Sequence, residues 1–109
     1  MLKFNYETQN QINQIKQSFN LKEENIILVD YCIGCNKKFK VYRDEIQNIT
    51  SISLYVDKVT EEKYLYYLCK KCTHDISNPY NKKLLAELDN NISKEISKLH
   101  PEILTNNKK

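Results

Sequence analysis

The chain has 109 residues, of which 40% are hydrophobic and 28% charged. That balance supports one soluble domain with a single modest core and excludes a Rossmann-sized enzyme or a TIM barrel. The longest unbroken aliphatic run is Ile26-Ile27-Leu28-Val29, too short for a transmembrane helix. Residues 1–5 lack the apolar stretch of a secretory signal, so a cytoplasmic, reducing location is expected and no membrane partner. Seventeen Lys and Arg against 14 Asp and Glu leave a net charge of +3, far below a dedicated polyanion binder. The excess sits in residues 31–72, with eight basic and five acidic side chains. Arg43 is the only arginine and Gly34 the only glycine. Base-edge reading by arginine forks and phosphate-cradling glycine loops are therefore disfavoured.

In chain order, Leu2, Phe4 and Tyr6 alternate as an edge strand would. Ile12, Ile15 and Phe19 lie at helical spacing and predict a short amphipathic helix over about 8–19, capped by Thr8 or Asn10. Residues 26–31 are β-branched and predict a strand entering the first cysteine pair. Phe39 and Val41 alternate with Lys40 and Tyr42, giving another short strand. Residues 51–56 alternate cleanly, 57–62 are polar and turn the chain, and 63–68 return it into Cys69. Residues 73–80 are polar and carry Pro79, unsuited to a strand. Leu84, Leu85, Leu88, Ile92, Ile96 and Leu99 then step by threes and fours and predict an amphipathic helix opening near Ser77 or Asn78 and ending near His100-Pro101. The expected organisation is a helical segment over 1–24, a metal-binding β domain over 25–78, the C-terminal helix over 79–104 and a disordered tail over 105–109.

The four cysteines fall as Cys32-Ile33-Gly34-Cys35 and Cys69-Lys70-Lys71-Cys72, thirty-three residues apart. A two-residue gap lets the backbone curl round an ion and present two thiolates; two such pairs complete a tetrahedral zinc site with no open position. One structural Zn2+ is the expected cofactor. Asn36, after the second cysteine, is suited to the left-handed conformation such a knuckle requires. Gly34 adds freedom inside the loop, and backbone N–H groups of the turn are placed to point at the sulfurs. Lys37, Lys38, Lys70 and Lys71 flank the pairs, where cations offset the metal-thiolate charge. A thioredoxin-like pattern for a redox pair is missing, and disulfides suit a secreted chain better. An iron–sulfur cluster also uses four cysteines and stays open. His74, beside the second pair, is expected to be a bystander because four thiolates already fill the ion. His100 suits a helix C-terminus.

A knuckle, a hairpin and a second cysteine pair leading toward a helix resembles a treble-clef zinc finger over about residues 30–90. The residues that carry the likeness are Cys32, Cys35, Cys69 and Cys72 with the helix from Leu84 to Leu99. In that class the helix begins at the second pair, so a short helical turn over 70–76 would reconcile the two. The resemblance implies an α+β fold: a small antiparallel sheet with four-cysteine zinc knuckles, flanked by N- and C-terminal helices. It implies a scaffold and no particular activity. HNH-type nucleases of the same superfamily need histidines beside the hairpin, and none lies between Cys35 and Cys69. The Pro-Cys-x-x-Cys of zinc deaminases is absent as well. No enzyme is expected.

Six of the eight tyrosines lie in the sheet region. An outward face of Tyr55, Tyr64 and Tyr66 is the candidate contact for a protein partner, which makes an adaptor or regulator the leading expectation. Lys37, Lys38, Arg43, Lys70 and Lys71 are the candidate contacts of the alternative, a nucleic-acid-binding regulator. The leucine and isoleucine stripe of the last helix is expected to pack on the sheet, or else to form a homodimer.

Overall fold

Asn5 opens the first helix in a computed structural model that describes residues 1–99. Its side chain accepts from the Thr8 backbone N–H at 2.9 Å. The helix, α1 (Tyr6–Phe19), therefore starts earlier than its apolar spacing indicates, and neither Thr8 nor Asn10 caps it. A capping side chain carries no hydrophobic period, so the stripe alone cannot place it. Asn20 ends the helix in the left-handed conformation. Ile12 is fully buried and Ile15 packs against the core, while Phe19 is half exposed.

The alternation of Leu2, Phe4 and Tyr6 yields a two-residue strand, β1 (Lys3–Phe4). It joins a three-stranded sheet with β2 (Val41–Tyr42) and β3 (Glu45–Ile46), in the order β1-β3-β2. The β1–β3 pair is parallel. The expected single antiparallel sheet is thus two sheets, one of them mixed. The β2–β3 turn holds Arg43 at φ 52° and Asp44 at φ 67°, the twist a two-residue hairpin needs, built without glycine.

The second sheet is the antiparallel hairpin β4 (Ser51–Val56) and β5 (Lys63–Leu68), at the bounds the alternation predicts. Asp57 closes its turn by accepting from the Val59 N–H at 2.8 Å and from Glu61 N at 2.8 Å through its carbonyl. Residues 26–31 are not the expected strand: they make single bridges at Ile26 to Leu65 and at Tyr31 to Lys38. Between these, the Tyr67 hydroxyl accepts from the Val29 N–H at 2.7 Å and donates to the Val29 carbonyl. Both ladder groups of Val29 are thereby taken by one side chain. The strand expected over 39–42 is shortened, because Phe39 turns into the core and its N–H bonds Asp30 O at 2.7 Å.

Two helices complete the fold. α2 (Lys70–Ile76) begins directly at the second cysteine pair. α3 (Lys82–Leu99) starts later than Pro79, because Asn81 Oδ1 takes the Leu84 N–H at 3.2 Å. In α3, Leu88, Ile92 and Ile96 are buried, and Leu85 and Leu99 are partly exposed. The middle of the apolar stripe is thus packed into the chain's own core. No described helix is long and apolar enough to cross a membrane. The expectations for His100, Pro101 and the tail over 105–109 fall outside the described residues.

The β4–β5 hairpin lies at the centre, covered on both faces. The register puts Tyr55, Tyr64 and Tyr66 on one face and Leu54, Leu65 and Tyr67 on the other. The first face meets α3, where the Tyr55 hydroxyl donates to Asp89 at 2.9 Å. The second meets the N-terminal layer, where Tyr67 stacks edge-on with Phe4 at 5.3 Å and touches Phe39 at 5.7 Å.

Candidate metal centre

The first knuckle is a hairpin closed by Asn36 N–H to Cys32 O at 2.7 Å and Cys32 N–H to Lys37 O at 2.8 Å. Asn36 sits at φ 65°, as its position after the second cysteine predicts. Gly34 does not have a positive φ; its reason is space. A Cβ there would meet Cys72 Sγ at 3.0 Å, Cys72 Cβ at 3.3 Å and Leu68 Cδ2 at 3.3 Å. Only a glycine lets the first loop approach the second this closely.

The second pair is placed by the end of β5 and the first turn of α2. Cys69 stands just before the helix and Cys72 within it, so one helical turn brings both sulfurs to the same side. The four sulfurs all lie within 4.8 Å of one another, and Cys35 Sγ is 3.8 Å from Cys69 Sγ. A tetrahedron with Zn–S of about 2.3 Å has edges of about 3.8 Å. All four cysteines are free thiols. Cys32 and Cys72 are buried, Cys69 is half-buried and Cys35 is exposed.

The electrostatics suit a cation. Burial pushes the Cys32 thiol up, against backbone N–H groups of Cys69, Cys35 and Gly34 that favour its thiolate. The Cys69 N–H reaches Cys32 Sγ at 3.4 Å. Burial, followed by the sulfurs of Cys32 and Cys35, pushes Cys72 up strongly. At Cys69 burial is outweighed by the Cys72 N–H and by the other three sulfurs, and its thiol is lowered. Four thiolates this close repel one another unless a positive ion sits between them. The donor set, spacing and N–H groups together form a site that a metal ion could fill.

Other site residues divide. Lys37, Lys38, Lys70 and Lys71 line one groove of about 700 Å³ that also includes Cys35, Cys69 and His74. Lys40, which the cysteine spacing does not single out, joins them; its alternation with Phe39 was the available signal. Arg43 does not line the groove; its guanidinium lies over the Tyr42 ring, 5.3 Å from the centroid. The expected outward tyrosine face does not exist: Tyr64 is 1% and Tyr66 7% exposed, and Tyr55 is half-buried. α3 meets that face at Tyr55, whose hydroxyl donates to Asp89, so the two expectations competed there for the same surface.

The last helix is also tied to the knuckle. Asn91 Nδ2 donates to Ile33 O at 2.8 Å, and the Tyr31 hydroxyl donates to Glu95. Burial and then Glu95 push the Tyr31 hydroxyl up to about 12. No protein-family model matches this chain. No curated protein and no solved structure matches it significantly either.

Proposed function

We propose that this is a small, non-enzymatic binding protein built on one structural zinc ion, with a treble-clef-like arrangement of knuckle, hairpin and helix. The observation that carries the reading is the packing of four cysteine sulfurs within 4.8 Å of one another. A cluster of several iron and sulfide atoms would hold its thiolates wider apart. Four thiolates leave a zinc ion no open position for substrate, which favours a scaffold over a catalyst. The start of α2 at the second cysteine pair supports the treble-clef likeness.

In this reading the ion ties two loops thirty-three residues apart and contributes on the order of 10 kcal/mol to folding. Elemental analysis of natively purified protein is expected to find one zinc per chain. A strong chelator is expected to abolish the native circular dichroism spectrum, and zinc to restore it. A native spectrum after complete metal removal would falsify the structural role.

The burial of Tyr64 and Tyr66 removes the surface proposed for a protein partner. The lysine groove beside the knuckles favours the second class of partner, a nucleic acid.

A further inference from the structure

The groove beside the cysteine cluster collects Lys37, Lys38, Lys40, Lys70 and Lys71, with His74 at its side. Among the described residues no carboxylate lines it. The lysines come from two segments far apart in sequence, the exit of the first knuckle and the start of α2, which the cysteine cluster brings together. Neutralising the metal-thiolate group does not account for them. Four thiolates around a divalent ion carry a charge of −2, and five lysines exceed it by three. Like charges left in one concave site repel unless an anion enters it. The remaining polar lining, Asn48 and Thr50, adds neutral hydrogen-bonding groups.

We propose that this groove binds the phosphodiester backbone of a single-stranded nucleic acid, without sequence preference. A strand of nucleic acid carries a negative charge on every phosphodiester, an unbroken run that matches lysines crowded in one groove. An ordinary acidic peptide interleaves its carboxylates with uncharged side chains, whereas every nucleotide carries a charge. The groove, about 700 Å³, has the volume of a ligand pocket and seats one phosphodiester strand laid along it. No arginine lines it, so nothing forks onto base edges. Phe39 is 8% exposed and offers no open stacking platform. Binding is therefore almost wholly ionic, weak and steeply salt-dependent. The proposal rests on the zinc-scaffold reading, because the cysteine cluster holds the two lysine segments together.

The test is fluorescence anisotropy of the full, zinc-loaded chain with a labelled mixed-sequence 20-nucleotide single strand. The same strand as a duplex, heparin and a poly-glutamate peptide serve as competitors. Zinc content and circular dichroism are measured on each sample. The expected slope of log affinity against log salt is about −3, a roughly sixty-fold weakening from 50 to 200 mM. Lys37→Gln with Lys70→Gln is expected to flatten the slope by about 1.4 units. Lys58→Gln with Lys83→Gln, exposed outside the groove, is expected to leave it unchanged. A folded, zinc-loaded protein with no binding at 20 mM salt overturns the groove proposal alone. So do equal losses in both double variants, preference for duplex, or displacement by poly-glutamate as readily as by unlabelled strand. A chain that carries no zinc overturns the scaffold reading and the groove with it.

Discussion

The two halves of this molecule flank one hairpin and are held by different physics. On the N-terminal side, α1 and the β1-β3-β2 sheet pack through Phe4, Ile12, Ile46 and Phe39, with Tyr67 as the contact from β5. Shape and apolar area do the work there. On the other side, the two cysteine loops approach until a Cβ on Gly34 would touch Cys72 Sγ at 3.0 Å. The loops meet there through their sulfurs, beside the buried Ile33 and Leu68, and as thiolates the sulfurs repel one another without an ion. A small chain can therefore divide its stability between a conventional core and a coordination site, and the division sets how each half responds to change.

The largest effect should come from the sulfurs. Cys72→Ser is expected to lose stoichiometric zinc and destabilise the fold by on the order of 10 kcal/mol, read as loss of cooperative thermal unfolding. If Cys72→Ser melts like the parent chain, the contrast between the halves is lost. Next, Tyr67→Ala should cost about 3–5 kcal/mol in denaturant titration while the folded fraction still holds zinc. Tyr67→Phe removes only the hydroxyl shared by the Val29 N–H and carbonyl, and should cost about 1–2 kcal/mol. Gly34→Ala is the sharper probe of the metal side. Its overpacking should cost about 1–3 kcal/mol, seen as weaker zinc retention in chelator competition. On the packing side, Asn5→Ala removes the cap of α1 and should cost about 1 kcal/mol with zinc affinity unchanged.

The last effect is confined to alkaline pH. The Tyr31 hydroxyl is raised to about 12 in the folded chain, from about 10 when unfolded. A raised folded value stabilises fully below the unfolded one, and that contribution fades as pH climbs from about 10 through 12. Melting temperature should fall over this window, and Tyr31→Phe should make the fall shallower.

Part of this architecture is legible along the chain. The pairs Cys32/Cys35 and Cys69/Cys72 declare a chelating geometry, because ligand spacing is a local property of the backbone. The bounds of β4 and β5 follow from alternation, the core of α3 from its stripe at Leu88, Ile92 and Ile96, and the conformation of Asn36 from its place after a knuckle. The two-residue strands β1, β2 and β3 are too short to leave a period. The Asn5 cap carries no hydrophobic signal. Gly34 is misread from sequence as a source of freedom, since the atoms it avoids belong to residues more than thirty positions away.

Local chemistry along the chain was enough to specify a four-sulfur ligand set, a central hairpin and an amphipathic last helix, since each depends on neighbours within a few residues. Which faces those elements present was settled only by packing. A strand's alternation says that its two sides differ and is silent on what covers them, so the burial of Tyr64 and Tyr66 is unannounced in the sequence. The gathering of Lys40 with Lys37, Lys38, Lys70 and Lys71 is likewise a product of chain closure, which draws together charges that linear order keeps apart.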